Sequence, residues 1–336
     1  MSSIIITGGL GYIGSHTAVE LLNCGYNVII VDNLSNSVPK TLDRIKKITG
    51  KEPIFFEIDV CDKNALTDVF KQHSGISAVI HFAAYKAVAE SVAKPLEYYK
   101  NNVMGLINLL ECMNEANCQN LVFSSSCTVY GEPDLLPVTE KTPLKPAASP
   151  YGNTKKISED VIFDTIQSGA KIKAISLRYF NPVGAHPSAL LGELPQGTPN
   201  NLMPLVTQAA LGKREKLFVY GSDYNTKDGT AIRDYIHVSD LAVAHIKALD
   251  WLFKQESCFY DIFNIGTGTG NSVLEVIESM NKNLEKPLPY EIVARRPGDV
   301  EKIYANSEKA NKVLDWQAKY TLDDMTKTSL DWEKNL

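Results

Sequence analysis

Tyr151 and Lys155 are the residues whose types and spacing most directly suggest chemistry. They are four positions apart, so on a helix their side chains share one face. A tyrosine acts as an acid or base near neutral pH only if its pKa of about 10 falls by roughly 3 units, which takes about 4 kcal/mol. One ammonium at about 4 Å, in an effective dielectric of about 20, supplies that much. We therefore predict that Lys155 lowers the pKa of Tyr151, with a solvent-facing Tyr and Lys as the alternative for this spacing alone.

A glycine-rich turn near the N-terminus is the second feature that could hold a ligand. Gly9, Gly11 and Gly14 match G-x-G-x-x-G, and Gly8 extends the match to the variant G-x-x-G-x-x-G. The turn follows one predicted strand and opens a predicted helix. Glycines let the backbone approach a pyrophosphate, and the free N–H groups at the start of the helix face that anion. The context predicts a dinucleotide site.

An acidic residue follows this turn at the spacing of a nucleotide site. Asp32 lies 18 positions after Gly14, where a carboxylate accepts hydrogen bonds from an adenosine ribose. A carboxylate there repels the additional phosphate of NADP, so we predict NAD as the cofactor. A tight turn with an ordinary strand-end Asp is the alternative. Asp59 and Val60 are placed to meet the adenine, with a helix N-cap at Asp59 as an equal alternative.

The elements that must position these residues alternate along the first half of the chain. Strands are predicted at 4–7, 27–32, 53–58, 78–82, 121–125 and 172–177, and helices near 12–24, 39–48, 62–72, 94–116 and 150–168. Six strands with five crossovers predict an α/β fold with a Rossmann-like doubly wound parallel sheet. Ser149 is placed to cap the helix that carries Tyr151, and Pro150 suits its first turn.

After residue 180 the pattern changes. Residues 181–184 and the Pro- and Gly-rich span 187–200 are interpreted as a long loop, a kind that is usually functional. Further strands are predicted near 217–220 and 259–264, and further helices near 238–253, 272–282 and 320–334. We predict an NAD-binding domain at 1–180 and a smaller α/β substrate-binding domain at 181–336, with some later elements folding back onto the first domain.

Composition narrows the class of protein. The 336 residues carry a net charge of −5, which argues against binding nucleic acid through its phosphates. No run of roughly 18 apolar residues predicts a membrane span, and the N-terminus lacks a signal peptide pattern. The 6 cysteines show no C-x-x-C pair, so reduced thiols are expected. We predict a cytoplasmic enzyme of small molecules without a metal.

Several separate motifs resemble one family. Together with Ser124 to Ser126, which end the fifth predicted strand, the chain resembles the extended short-chain dehydrogenases, and within them the UDP-glucose (UDP-galactose) 4-epimerases. The matching stretches are 7–16 (TGGLGYIGSH), 32–37, 81–88, 124–131 (SSSCTVYG), 150–155, 178–186 (RYFNPVGAH), 228–238 (DGTAIRDYIHV) and 295–299 (RRPGD). Small departures are Ala84 and Tyr85, where the family often has Gly and Leu, and Cys127, where it often has Ala.

The resemblance implies an isomerase of nucleotide sugars in galactose metabolism that uses tightly bound NAD. Tyr151 would take the proton of the sugar 4-hydroxyl, Ser126 would hydrogen-bond the same oxygen, and Lys155 would hold the nicotinamide ribose. The implied cofactor residues are Gly8, Gly11, Tyr12, Ile13, Gly14, Asp32, Asn33, Asn36, Ser37, Asp59, Val60, Phe82, Ala83, Ala84, Lys86, Asn101, Ser126, Tyr151, Lys155, Tyr179 and Pro182.

The substrate side is implied in the same way. Its residues would bind the diphosphate, the uridine and the hexose: Lys86, Ser126, Tyr151, Asn181, Asn200, Leu202, Phe218, Tyr220, Arg233, Arg296, Asp299 and Ile303. Within them, Arg233 and Arg296 would neutralise the diphosphate with planar guanidinium groups. The resemblance also implies a homodimer, with the helices near 94–116 and 150–168 pairing across a two-fold axis; packing of their apolar faces into the core of one chain is an equal alternative.

Three alternative functions differ from this one in the residues that they need. Dehydration of the sugar needs an additional acid and base after the catalytic serine, and Cys127 and Thr128 stand there instead. A non-catalytic NAD-binding protein has no need of Ser126, Tyr151 and Lys155 together. Activity on UDP-N-acetylhexosamines or UDP-pentoses depends on the residue beside the sugar. In the family a Tyr at position 303 excludes bulkier sugars and a small residue admits them, and Ile303 is intermediate.

Overall fold

A seven-stranded parallel sheet organises the chain, which a computed structural model describes over residues 2–295 and 300–336. The strands are β1 (Ser3–Thr7), β2 (Asn27–Asp32), β3 (Ile54–Glu57), β4 (Ile76–His81), β5 (Asn120–Ser126), β6 (Lys173–Tyr179), β7 (Asn181–Val183), β8 (Leu217–Tyr220), β9 (Ile232–His237), β10 (Phe259–Ile265), β11 (Gly270–Ser272), β12 (Tyr290–Val293) and β13 (Lys302–Ile303). The sheet order is β10-β6-β5-β4-β1-β2-β3, with every pair parallel. The direction of winding reverses between β1 and β4, which is where such sheets bind ligands. The predicted fold class is confirmed.

Helices cover both faces of this sheet. They are α1 (Tyr12–Asn23), α2 (Lys40–Thr49), α3 (Lys63–Gln72), α4 (Val88–Ala93), α5 (Pro95–Tyr99), α6 (Gly105–Glu115), α7 (Pro150–Gln167), α8 (Leu202–Ala210), α9 (Val238–Phe253), α10 (Val273–Asn281), α11 (Glu308–Leu314) and α12 (Leu322–Lys334). Alternate residues of a strand point to opposite faces. Accordingly Ile4 and Ile6 enter one core and Ile5 enters the other.

The predicted helix at 94–116 is interrupted in the structure. Pro95 begins the short helix α5, residues Lys100–Met104 form a π-helical turn, and α6 continues from there. A single-turn π-helix leaves no mark in hydrophobic periodicity, which explains why the sequence indicates one helix. The short helix α4 before it was not predicted.

A smaller assembly of strands and helices follows residue 180. Strands β11, β9, β13 and β7 form one sheet, β12 and β8 form a second, and α8, α10 and α12 share a hydrophobic core. The prediction of a loop at 181–184 is wrong for 181–183, because these residues pair with β9 about fifty positions later. Strand β10 and helix α9 belong to the first sheet and its core although both come after residue 180.

Two further expectations from the sequence concern the state of the cysteines and the presence of a membrane span. All six cysteines are free thiols in the structure. Over residues 2–295 and 300–336, no helix is both long enough and apolar enough to cross a membrane.

Four histidines lie inside the packed structure, and burial dominates their titration. His16, His81, His237 and His245 are buried. Burial lowers the pKa to about 3 for His16 and His81 and to about 4 for His237 and His245. All four are therefore held neutral at pH 7, whereas in the unfolded chain they gain protons near pH 6.5.

We predict that acid destabilises the fold through these groups. As pH falls below 6.5 the unfolded state binds protons that the folded state does not, so the free energy of unfolding falls by up to about 1.4 kcal/mol per pH unit for each histidine. Replacing one of them, His245→Phe, should make this dependence shallower by about one proton. The measurement is urea unfolding at several pH values between 6.5 and 4.5, with the less buried His73→Gln as the matched control. An unchanged slope in His245→Phe would contradict the assignment.

Candidate active site

Helix α7 and the end of strand β5 bring the three predicted catalytic residues together. Ser149 caps α7 by accepting a hydrogen bond from the backbone N–H of Gly152 at 3.2 Å, and proline occupies the first helical turn, as predicted. The cap places Tyr151 and Lys155 on the buried side of the helix. The strand ends at Ser126, whose side chain is also buried and is hydrogen-bonded to Tyr151.

Lys155 is held by the strand beside it. Its ammonium Nζ donates to the backbone carbonyl of Ser124 at 2.7 Å and lies 4.8 Å from the ring centroid of Phe123. Burial lowers the pKa of Lys155 to about 7, and the negative charge of Glu159 opposes that change. The ammonium is therefore poised between its charged and neutral forms near neutral pH.

The predicted lowering of the Tyr151 pKa is wrong for the groups that this chain supplies. Burial raises the pKa of Tyr151 well above its usual range, and the neighbouring Tyr179 adds to this. The hydrogen bond with Ser126 opposes the rise without reversing it. The charge of Lys155 favours the phenolate, but the cost of removing a phenolate from water is the larger effect here. Tyr151 alone therefore holds its proton.

Ser126 is oriented by the turn that follows it. Its hydroxyl oxygen accepts from the Thr128 hydroxyl at 3.0 Å and from the Thr128 backbone N–H at 3.3 Å. With both acceptor positions engaged, the Ser126 hydroxyl is left to donate its own proton. The next residue, Cys127, is buried, and burial raises the pKa of its thiol to about 12. Neither Cys127 nor Thr128 supplies a carboxylic acid.

The glycine turn has the close contacts that a dinucleotide site requires. Gly8 has φ +68°, and a Cβ there would lie 2.7 Å from the backbone nitrogen of Ala83. A Cβ on Gly14 would lie 2.2 Å from the carbonyl oxygen of Gly8. Helix α1 begins after Gly11 without a side-chain cap, so its first N–H groups face outward. This cradle of N–H donors at a helix start fits the pyrophosphate of NAD.

Asp32, at the end of β2, is hydrogen-bonded to the glycine turn. Its Oδ2 accepts from the backbone N–H of Leu10 at 3.0 Å, and its Oδ1 accepts from the Leu34 N–H at 3.0 Å and the Ser37 hydroxyl at 2.8 Å. A carboxylate oxygen has two lone pairs, so Oδ2 retains an acceptor position for a ribose hydroxyl. The carboxylate therefore fits a nucleotide ribose as well as the turn.

Asp59 does not cap a helix. Its Oδ2 accepts from the side chain of Asn33 at 3.1 Å and its Oδ1 from the N–H of Cys61 at 2.8 Å. The N-cap of α3 is Asp62. The N-cap alternative is therefore wrong, and Asp59 instead joins the loop after β2 to the loop after β3.

Other predicted cofactor residues lie at the same edge of the sheet. The N–H groups of Phe82 and Ala83 donate to the carbonyl of Thr7 at 3.0 and 3.1 Å, so this segment runs beside the glycine turn. The hydroxyl of Tyr179 accepts from that of Ser124 at 3.0 Å. Further members of the predicted set lie in α1, in the loops after β2, β3 and β4, in the π-helical turn and in β7: Tyr12, Ile13, Asn36, Val60, Ala84, Asn101 and Pro182.

The predicted substrate residues come from several elements after residue 180. Ile303 is buried and pairs in register with Arg233, and Phe218 and Tyr220 are partly exposed along β8. Asn181 lies in β7, Asn200 precedes α8 and Leu202 begins it. Arg296 and Asp299 lie outside the described residues.

Asp234 is a structural centre that the sequence reasoning missed. Its carboxylate accepts four backbone or hydroxyl donors, from Thr267, Gly268 and Ala305, at 2.6 to 3.1 Å. A Cβ on Gly266 would lie 2.5 Å from this carboxylate. The glycine-rich span 266–270 therefore packs around the buried carboxylate of Asp234. The repeated glycines of this span were the sequence feature that could have indicated such a close contact.

Glu193 was also missed, in the middle of the long loop. Its Oε1 accepts from the Lys86 ammonium at 3.0 Å and from the Asn201 side chain at 2.5 Å, and its carbonyl accepts from the Trp332 indole at 2.9 Å. It joins a predicted cofactor residue to the start of α8. Lys86 and Trp332 lie more than a hundred positions away, so no local pattern around Glu193 could have indicated them as partners.

Comparisons with known proteins agree over almost the whole chain. A family model described as GDP-mannose 4,6 dehydratase matches residues 5–329. The chain is 50% identical over 333 residues to the UDP-glucose 4-epimerase of Bacillus subtilis (strain 168), covering 99% of this chain and 97% of that relative.

Two solved structures are similar to it over almost the whole chain. The UDP-glucose 4-epimerase of Bifidobacterium longum, in complex with NAD+ and UDP, is 47% identical with a TM-score of 0.95, covering 99% of this chain and 98% of that one. The UDP-glucose-4-epimerase of Stenotrophomonas maltophila, with bound NAD and formylated UDP-arabinopyranose, is 45% identical with a TM-score of 0.96, covering 100% and 98%.

Proposed function

Since this chain belongs to the UDP-glucose 4-epimerase family, within the extended short-chain dehydrogenases, we propose that it interconverts UDP-galactose and UDP-glucose with bound NAD. The observation that carries the proposal is the placement of Ser126, Tyr151 and Lys155 at the sheet edge beside the glycine turn. A carboxylic acid after Ser126, as dehydration of the sugar needs, is absent, since Cys127 and Thr128 stand there.

Three residues of the site have separate roles in the proton transfer. NAD, which the glycine turn, Asp32 and Lys155 would hold, would supply reversible hydride transfer at sugar C4. Tyr151 takes the proton of the 4-hydroxyl and later gives it back, while Ser126 donates a hydrogen bond to the same oxygen. Lys155 supplies the nearby positive charge and holds the nicotinamide ribose. Because burial keeps Tyr151 protonated, positive charge is required before it can act as a base.

Selection of NAD over NADP rests on Asp32. Its carboxylate is buried at the end of β2 and held by Leu10, Leu34 and Ser37. The same charge that accepts a hydrogen bond from a ribose hydroxyl repels a phosphate in that position.

We propose that the second half of the chain binds the nucleotide tightly and the hexose weakly, so that the sugar can rotate. We assign diphosphate oxygens to Arg233 and Arg296, the uridine ribose to Asp299, and the sugar and uracil pockets to Asn181, Asn200, Leu202, Phe218 and Tyr220. A hexose that is bound as tightly as the nucleotide could not present both faces of C4 to the nicotinamide. The binding energy therefore comes from contacts with the uridine diphosphate, which does not react.

Removing the Tyr151 hydroxyl tests the proposal directly. Tyr151→Phe should lower kcat for UDP-galactose at least a thousandfold while the protein keeps its NAD, because the ring still packs and only the base is lost. The assay follows UDP-glucose formation without added cofactor. The control is Tyr260→Phe, a half-buried tyrosine on β10 whose hydroxyl is hydrogen-bonded to that of Ser176, outside the site. A wild-type protein that holds NAD but forms no UDP-glucose would instead be a non-catalytic binder.

Acceptance of larger sugars depends on Ile303. It belongs to a small buried cluster with Cys127, Val129 and Phe180, next to the serine that contacts the sugar. The structure from Stenotrophomonas maltophila contains a modified UDP-pentose, which supports acceptance of sugars other than hexoses. We propose that UDP-N-acetylhexosamines and UDP-pentoses are secondary substrates whose use is limited by this side chain.

Substitutions at position 303 should shift preference in opposite directions. Ile303→Ala should raise the ratio of kcat/KM for UDP-N-acetylgalactosamine over UDP-galactose about tenfold or more, and Ile303→Tyr should lower it. Both ratios come from initial rates with purified protein. Equal ratios in the two variants would remove Ile303 from the sugar pocket.

We propose a homodimer formed through the helices that carry the site. Val92, Leu96 and Met104 are 63%, 82% and 48% exposed along the segment 88–104. That segment packs on α7, where Asn153 donates to the Tyr99 hydroxyl at 2.7 Å. A second copy of the chain would remove these apolar side chains from water.

A charge in this apolar patch should separate the copies. Leu96→Asp should give the 37.1 kDa mass of one chain in sedimentation equilibrium, whereas the wild type should give twice that mass. Leu135→Asp is the control, because Leu135 is 79% exposed and lies outside these helices. Finding the wild type as a single chain at micromolar concentration would overturn the dimer.

A cytoplasmic location is proposed as well. The six free thiols fit a reducing compartment, and both substrate and cofactor are small molecules of the cell interior.

A further inference from the structure

A buried polar network lies directly behind the site. The Arg178 guanidinium binds Glu159 through two bonds, Nε to Oε1 at 3.0 Å and Nη2 to Oε2 at 2.5 Å. The Ser125 hydroxyl donates to the same Oε1 at 2.6 Å. All three side chains are buried. The proton transfer assigned above uses none of them.

Each member of the network adjoins a residue of the site. Ser125 precedes Ser126 on β5, Arg178 precedes Tyr179 on β6, and Glu159 follows Lys155 by one turn of α7. A carboxylate bound by a guanidinium through two parallel bonds has little freedom to rotate or slide. The network therefore fixes two neighbouring strands and one helix relative to each other at the level of the site.

Stability alone does not explain a charged pair in this position. Removing two charges from water costs several kcal/mol per ion, and replacing a buried ion pair by apolar side chains of similar size is often neutral or stabilising. What an apolar replacement lacks is direction, because dispersion contacts tolerate shifts that two parallel hydrogen bonds do not.

The network also continues beyond the pair. The Arg178 guanidinium lies 4.9 Å from the ring centroid of Tyr130, whose hydroxyl donates to Asn264 on β10 at 2.6 Å. Tyr130 belongs to the turn that begins after Ser126. Arg178 thus contacts the segments on both sides of the catalytic serine.

We propose that Ser125, Glu159 and Arg178 are positioning residues that hold Ser126, Lys155 and Tyr179 in one reactive arrangement. The inference rests on the proposed epimerase function. None of the three contacts the reacting atoms, so their effect passes through the residues that they hold. Glu159 and Arg178 together carry no net charge, and the Glu159 carboxylate, one helical turn from Lys155, also favours the charged form of that side chain.

The decisive variant removes the whole network at once. In Ser125→Ala/Glu159→Leu/Arg178→Met no buried polar group loses its partner within the set, so the protein should unfold at a temperature close to the wild type. Displacement of reacting groups by about 1 Å costs up to a hundredfold in rate. We expect kcat for UDP-galactose to fall tenfold to a hundredfold, with KM within threefold and the NAD content unchanged.

A control removes a more exposed ion pair that does not adjoin the site. Lys309 on α11 pairs with Asp261 on β10, and Asp261→Leu/Lys309→Met should retain the wild-type kcat. The smaller change Ser125→Ala removes one bond of the network and should lower kcat about threefold, even if the triple variant does not fold.

The outcomes separate the inference from the function on which it rests. An active wild type with a triple variant of equal kcat, or with an unchanged Ser125→Ala, overturns the positioning role alone. A wild type that holds NAD and does not convert UDP-galactose overturns the function and the inference together. Loss of kcat in the triple variant with its unfolding temperature and NAD content retained supports the inference.

Discussion

The burial of an ammonium group is the constraint on which the site depends. Lys155 has lost its water, and its charged form is supported by the carbonyl of Ser124, the face of Phe123 and the negative charge of Glu159. Ser124 and Phe123 both belong to β5. If the helix that carries Lys155 moved away from that strand, the ammonium would lose both contacts. The same burial raises the pKa of Tyr151, so burial favours the neutral form of both side chains.

Parallel pairing of the strands explains how so many chemical groups share one edge. The carboxyl ends of β1, β2, β4, β5 and β6 all point the same way, so residues more than a hundred positions apart meet without long connections. Two acids, the partly buried Glu193 and the buried Asp234, tie together segments of the second half of the chain. Glu193 joins Lys86 to Asn201, and Asp234 joins β9 to the loop after β10 and to Ala305.

Features with a local cause could be predicted from the sequence. The glycine turn, the cap at Ser149 and the strands of the first sheet each follow from neighbouring residues, and the structure agrees. Three errors have nonlocal causes. Strand β7 forms because β9 is available to pair with it, the Tyr151 pKa depends on packing from several elements, and Asp234 gains its partners only after the chain has folded back. The residues that lie outside the described part, Arg296 and Asp299, remain predictions.

The seventh strand of the main sheet has a consequence for synthesis of the chain. Strand β6 must wait for β10, about eighty residues later, before its outer edge is paired. During translation the half-built sheet therefore presents a bare row of backbone donors and acceptors, the kind of edge through which nascent chains associate with one another. The ribosome must therefore synthesise the chain through β10 before the outer edge of β6 is paired.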